Sequence, residues 1–276
     1  MSTQVNIIQW AITTGNPRWA AQRLGVMLGA ILLLVGCTPI APPAATGDTA
    51  APVLTQISTL SALQLGLYDG DVTFAQLAQM GDFGLGTFDG VDGEMIALDG
   101  KFYQARVDGS VQEAAPTTET PFADVHFFQR TETLTVTQPL TNFVALQAYL
   151  TTQLPSQNQP YALKISGTFP SLKIRSVAQQ QVPYPPLADV VAQQTVFDLS
   201  NISGTLVGYF MPDYLTGVTA VGYHFHFISD DRQHGGHLLD LAMTSATVDV
   251  DPVEQVKLVI PQTALFQDAD FTPEQQ

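Results

Sequence analysis

"GLGTFDGVDGEMIALDGKFYQARVDGSVQEA", residues 84–114, decides the fold class. Asp-Gly recurs in it at 89–90, 92–93, 99–100 and 108–109, and the runs between are short and alternate apolar with polar residues. Asp-Gly supplies the left-handed positions of a tight turn, so the stretch predicts a meander of antiparallel hairpins. Upstream, Leu60, Leu63 and Leu67, then Phe74, Leu77 and Met80, fall at helical spacing. Asp71 and Thr73 are both candidate caps of the second helix, with Thr73 immediately before Phe74. Downstream, "ADVHFFQRTETLTV" (123–136) reads as one strand and "LTNFVALQAYLTTQL" (140–154) as an amphipathic helix. Strand signals return in "YALKISGTFPSLKIRSV" (161–177), "SGTLVGYFMP" (203–212), "VTAVGYHFHFISD" (218–230), "GHLLDLAMTSATVDVD" (236–251) and "VKLVIP" (256–261). Few helices among many antiparallel strands predict an α+β fold rather than a doubly wound one. The order strand–helix–strands occurs twice, which divides the folded chain into two β-rich halves, 53–160 and 161–276, with mixed and antiparallel sheets. No phosphate-binding glycine loop stands between a strand and a helix, and no G-x-S-x-G elbow is present.

Only 13% of the 276 residues are charged, and the formal net charge is −15. Such a chain offers no basic field to a phosphate backbone, which argues against nucleic-acid binding. Arg18 and Arg23 precede the apolar run "LGVMLGAILLLVGC", residues 24–37. That run is short for a spanning helix and suits the apolar region of a secretory leader. Its end, Leu34-Val35-Gly36-Cys37, resembles a bacterial lipobox, and Cys37 is the chain's single cysteine, so no internal disulfide competes for its thiol. The expectation is a lipoprotein signal peptide at 1–36, a lipid anchor on Cys37 and an extracytoplasmic, membrane-attached protein; a plain signal peptide is the alternative. Removing 1–36 deletes two arginines and no acid, taking the net charge from −15 to about −17. Residues 37–52, rich in Pro, Ala and Thr, cannot bury apolar surface and read as a flexible tether.

"GYHFHFISDDRQHGGHLLD", residues 222–240, holds four of the five histidines. On a strand, His224 and His226 share one face, while Tyr223, Phe225 and Phe227 take the other. "SDDRQHGG" is turn chemistry, and folding it back brings His237 beside the first pair, leaving His234 exposed in the turn. Three imidazoles with an open position make a catalytic transition-metal site, with Zn2+ the expected ion. Polar residues on a solvated strand face fit the same spacing, and spacing alone does not choose. Glu94 is an acid with apolar neighbours on both sides, and Arg175 a cation within a β-rich run. A chain with eight Lys and Arg beyond residue 36 has few cations to spare, and guanidinium suits a carboxylate.

These blocks together resemble the α-acetolactate decarboxylase family. The resemblance runs from about Leu54 to the C-terminus and is carried by "LSALQLGLYDGDVTFAQLAQMGDFGLGTFDGVDGEMIALDGKFYQARVDGSV", "TPFADVHFF", "GTFPSLKIRSVAQQ" with "PYPPL", and "GYHFHFISDDRQHGGHLLD". It implies a zinc-dependent lyase of acetoin biosynthesis that converts (S)-2-acetolactate to (R)-acetoin and CO2. It implies metal ligation by His224, His226 and His237, and active-site roles for Arg175, Glu94 and Thr87. It also implies a glutamate close to the C-terminus, for which Glu274 is the only glutamate in "DADFTPEQQ", with Glu254 in an earlier block as the fallback. By analogy a homodimer is the expected assembly. Two other readings of the same residues are a metal-dependent lyase for another β-keto or hydroxy-keto acid, and a non-catalytic zinc-binding lipoprotein.

Overall fold

A computed structural model describes residues 53–272. The expected signal peptide, Cys37, the tether and Glu274 lie outside the described residues.

The Asp-Gly meander forms as its turn chemistry dictates. Strands Phe83–Thr87, Glu94–Leu98, Lys101–Ala105 and Val111–Glu113 run antiparallel, each bonded to the next. Asp99 and Gly100 turn with φ of 52° and 78°, the left-handed pair that matches the twist of a two-residue hairpin. Gly93, at φ 83°, approaches so closely that a Cβ there would lie 2.4 Å from the Ala105 carbonyl oxygen, which reserves the position for glycine.

These strands belong to a seven-stranded sheet ordered Gln255–Val259, Val53–Ile57, Ala123–His126, Phe83–Thr87, Glu94–Leu98, Lys101–Ala105, Val111–Glu113. The first pairing is parallel, so the sheet is mixed. A second sheet of six strands is ordered Thr195–Met211, Gly222–Ser229, Gly235–Ala242, Tyr161–Ser176, Ala246–Pro252, Glu132–Val136. Its two long strands also pair directly, so four of its members close a ring. Leu85, Ile96 and Tyr103 of the first sheet meet Val207, Tyr209 and Ile228 of the second in one apolar cluster. Helix Phe143–Gln153 adds Leu146 and Leu150 to a separate cluster on the six-stranded sheet.

The architecture is the expected α+β type, and several details differ from the sequence reading. Residues 123–136 form two strands in different sheets, because the backbone N–H of Phe128 is drawn to Asp82 and that of Gln129 to Asp251, turning the chain out of the first ladder. Strand Thr195–Met211 begins well before residue 203; its first half alternates, with Phe197, Leu199 and Ile202 packed against the core and the residues between them exposed. Pro170 sits inside the facing strand, opposite Asn201 at φ 52°, where it has no N–H to give. Two strands cross the expected division at residue 160: Gln255–Val259 joins the first sheet and Glu132–Val136 the second. Thr73, not Asp71, caps helix Phe74–Leu77 through a reciprocal box with Gln76, while the Asp71 carboxylate accepts from the Gln262 N–H. Short helices Leu187–Ala192 and Ala264–Gln267 were not legible in the sequence.

Candidate metal centre

Register decides which side chains meet. On the six-stranded sheet Arg175 lies opposite His237, and His237 opposite His226. These three residues form a row across neighbouring strands and project to one face, which His224 shares by strand alternation. On the seven-stranded sheet Thr87 lies opposite Glu94, and Glu94 opposite Ala105. The two rows meet at a cavity of about 280 Å3 lined by Thr87, Glu94, Arg175 and the three histidines. Leu63, Val91, Phe122, Val177, Leu187 and Tyr223 supply much of its remaining wall.

The imidazoles converge. His237 Nδ1 lies 3.1 Å from His224 Nε2 and 3.3 Å from His226 Nε2. His226 donates from Nδ1 to the Met95 carbonyl at 2.8 Å, which leaves its Nε2 with a bare lone pair. A proton on His237 Nδ1 can serve only one of its two neighbours, so the protein by itself leaves a lone pair facing a lone pair in a site where His226 is buried and His224 and His237 are half-buried. A cation resolves that conflict. The spacings also agree with the roughly 3.3 Å edge expected between nitrogens bonded tetrahedrally at about 2.0–2.1 Å to one ion. Burial and, after it, the Arg175 charge lower His226 to about 3, with the hydrogen bond to the Met95 carbonyl opposing them. Burial first, and then the neighbouring imidazoles and Arg175, hold His224 and His237 well below the ordinary histidine range. Neutral imidazoles are the form that ligates. His224, His226 and His237 therefore fit a metal ion as a three-nitrogen set.

Beside them Arg175 Nη1 donates to Glu94 Oε1 at 2.9 Å, and Glu94 Oε2 stands 3.4 Å from His226 Nε2. Burial raises the Glu94 carboxyl above its usual range, and Arg175 opposes part of that rise. Among the described residues Glu94 is the only carboxylate lining the cavity. Thr87 lines it too, but its hydroxyl donates to the Gly93 carbonyl at 2.7 Å, so it fixes the turn that presents Glu94. His234 is exposed in the hairpin turn, and Glu254 is exposed between two strands and does not line the cavity. Glu274 lies outside the described residues.

Two polar residues near the site were not singled out from the sequence. Gln104 donates to the Asp92 carbonyl at 2.6 Å, just before Gly93 and Glu94. Ser176 donates to the Ala105 carbonyl at 2.8 Å, from one sheet to the other. The available signal was adjacency to the candidate Arg175 for Ser176, and for Gln104 only its place in the meander.

Residues 54–273 match the family model described as alpha-acetolactate decarboxylase. The alpha-acetolactate decarboxylase of Methylococcus capsulatus is 43% identical over 220 residues, covering 80% of this chain and 84% of that protein. That of Methanosarcina mazei is 44% identical over 224 residues, covering 81% and 77%. The crystal structure of the Bacillus subtilis strain 168 alpha-acetolactate decarboxylase superposes with a TM-score of 0.77 at 35% identity, covering 79% of this chain and 93% of that one.

Proposed function

Since the chain belongs to the α-acetolactate decarboxylase family and is an acetolactate decarboxylase, we propose that its cavity carries out zinc-dependent conversion of (S)-2-acetolactate to (R)-acetoin and CO2. The observation that carries this reading is the Arg175–Glu94 pair set against three converging imidazole nitrogens in one enclosed space. The substrate is a small anion bearing a tertiary hydroxyl and a ketone. Among the described residues Arg175 is the only cationic side chain lining the cavity; Nη1 is engaged with Glu94, and its other N–H groups can orient the carboxylate. Loss of CO2 breaks a carbon–carbon bond and leaves its electron pair on the adjoining carbonyl as an enediolate. Zn2+ held by His224, His226 and His237 supplies the Lewis acidity that stabilises negative charge on the substrate's oxygens. Glu94, whose proton burial makes harder to lose, delivers a proton to one face of the carbon and sets its configuration. The apolar wall accommodates the methyl groups and keeps competing water away.

The test is metal analysis of the purified protein combined with chiral analysis of acetoin formed from acetolactate. One zinc per chain and a single enantiomer are expected, with Arg175→Lys losing about 100-fold in turnover because an ammonium cannot reproduce the planar fork. Racemic product, or near-normal turnover in the lysine variant, would remove these roles.

The lipid anchor on Cys37 and an extracytoplasmic location are also proposals, supported by the run ending Leu34-Val35-Gly36-Cys37. Fatty-acid labelling that disappears in Cys37→Ala is the expected result. A homodimer rests on analogy alone and is checked by mass in solution.

A further inference from the structure

The two rows of site residues belong to different sheets, and three hydrogen bonds join them where they meet. Arg175 bonds Glu94 at 2.9 Å, His226 bonds the Met95 carbonyl at 2.8 Å, and Ser176 bonds the Ala105 carbonyl at 2.8 Å. The first two involve groups already given a part in the chemistry or in holding metal. The third does not: Ser176 is fully buried, does not line the cavity, and ends strand Tyr161–Ser176 immediately after Arg175. Its acceptor is the strand partner of Glu94.

We propose that Ser176 is a positioning residue for proton delivery, its hydroxyl clamping the strand beside Glu94 to the strand that carries Arg175. Each end of this clamp lies one covalent or one ladder step from a reacting group. Ser176 adjoins Arg175 in the chain, and Ala105 pairs with Glu94 across the ladder. Glu94 is otherwise fixed within its own sheet, where Thr87 on one flanking strand holds the Gly93 carbonyl and Gln104 on the other holds the Asp92 carbonyl. Those two bonds lie within the seven-stranded sheet and move with it. Only a bond between sheets can set how far the Glu94 carboxyl sits from the substrate that Arg175 orients. A single buried hydroxyl-to-carbonyl bond contributes only modestly to stability, whereas a displacement of about 1 Å at a reacting group can cost roughly 100-fold in rate. The catalytic consequence of losing the clamp therefore exceeds its consequence for folding.

The inference rests on the roles proposed for Glu94 and Arg175, and the experiment separates the two. Ser176→Ala and Ser176→Cys are compared with the parent full-length protein for kcat, KM, zinc content and enantiomeric composition of acetoin. Alanine removes the donor at nearly the same volume, and cysteine is slightly larger and donates only weakly, so both variants should lose about 10- to 100-fold in kcat. KM should stay within about twofold and zinc per chain unchanged, while acetoin loses enantiomeric purity because the proton donor is less firmly placed. A merely structural serine would lower the active fraction without changing product configuration. Should the alanine variant fail to fold, the cysteine variant carries the comparison. Parental kcat in either variant overturns the proposal, as does a kcat loss matched by zinc loss at unchanged enantiomeric purity. Glu94→Gln is the control: full activity there removes the underlying roles, whereas an inactive Glu94→Gln beside a fully active Ser176→Ala removes only the clamp.

Discussion

His126 and the His224–His226–His237 cluster both place imidazoles inside the fold, yet they use their ring nitrogens in opposite ways. His126 is saturated: Nδ1 meets the Tyr209 hydroxyl at 3.1 Å and Nε2 meets Asp251 Oδ2 at 3.1 Å, with all three residues buried. Its partners diverge, one on each side of the ring, and no lone pair is left over. In the cluster, among the described residues, only His226 has a hydrogen-bond partner outside the group, and one nitrogen of each ring (His224 Nε2, His226 Nε2, His237 Nδ1) converges on the others. A histidine whose two nitrogens are consumed is a structural cross-link, here joining strand Ala123–His126 of one sheet to strand Ala246–Pro252 of the other. Histidines whose lone pairs converge can hold a cation. Burial by itself does not distinguish them, since His126 at 0% and His226 at 2% exposure are equally enclosed.

The sharpest way to break this comparison is to delete one imidazole from each group. His226→Ala should lose the metal and at least about 1,000-fold in activity, since a two-nitrogen set no longer holds the ion against water. His126→Ala should retain zinc and turnover per folded molecule but lose about 3–5 kcal/mol, because a fully buried ring is truncated and Asp251 keeps only the Gln129 N–H. For a fold of about this size that lowers the melting midpoint by roughly 10 °C. Metal analysis, steady-state rates and thermal melts read both variants. Equal loss of metal in the two would end the distinction between structural and ligating histidines.

A smaller effect comes from the acid beside the structural histidine. Asp124 Oδ1 and Gln56 Oε1 are both buried without a partner, and the two residues lie opposite each other on adjacent strands. One proton on Asp124 can satisfy both acceptors. Burial pushes its carboxyl up to about 7, with the Thr219 hydroxyl opposing. The folded chain thus holds this proton more tightly than the unfolded chain does. The resulting stability is fully present below about pH 4 and is lost as pH rises towards 7, by on the order of a few kcal/mol. Asp124→Asn keeps the shape, supplies N–H donors and removes the titration. Urea unfolding at pH 5 and pH 8 should show the variant gaining on the parent at the higher pH; parallel curves would show that Asp124 is ionised throughout.

The contrast between these regions also explains what could be read from the sequence. The histidine cluster was legible because it is local: strand alternation pairs 224 with 226, and one turn with two glycines returns 237. The Asp-Gly meander was legible for the same reason. Glu94 and Arg175 stand 81 residues apart and meet only because two sheets pack, so spacing offered no link and the family resemblance was needed. Asp251 lies 125 residues from His126, and "ADVHFF" reads as an ordinary strand that nothing marks as part of a polar cross-link. The first half of strand Thr195–Met211 carried a signal that was passed over, the alternation of Phe197 and Leu199 with polar residues, and it extends along its long partner strand.

The smallest expected effect completes the comparison, because it concerns a histidine belonging to neither group. His234 sits between the ligand strands, three residues from His237, and by sequence proximity alone would rank with the metal set. Its side chain is exposed, while its backbone is committed to the turn: the N–H donates to Ser229 Oγ at 3.0 Å and the carbonyl accepts from the Ser229 N–H at 2.8 Å. The turn is therefore held by main-chain groups that a side-chain truncation leaves in place. His234→Ala should keep full zinc content, turnover within about twofold and a change in stability within about 0.5 kcal/mol, the range of surface substitutions. Metal loss in this variant comparable to that of His226→Ala would mean that the turn folds differently from the hairpin described, and would place a fourth imidazole within reach of the ion.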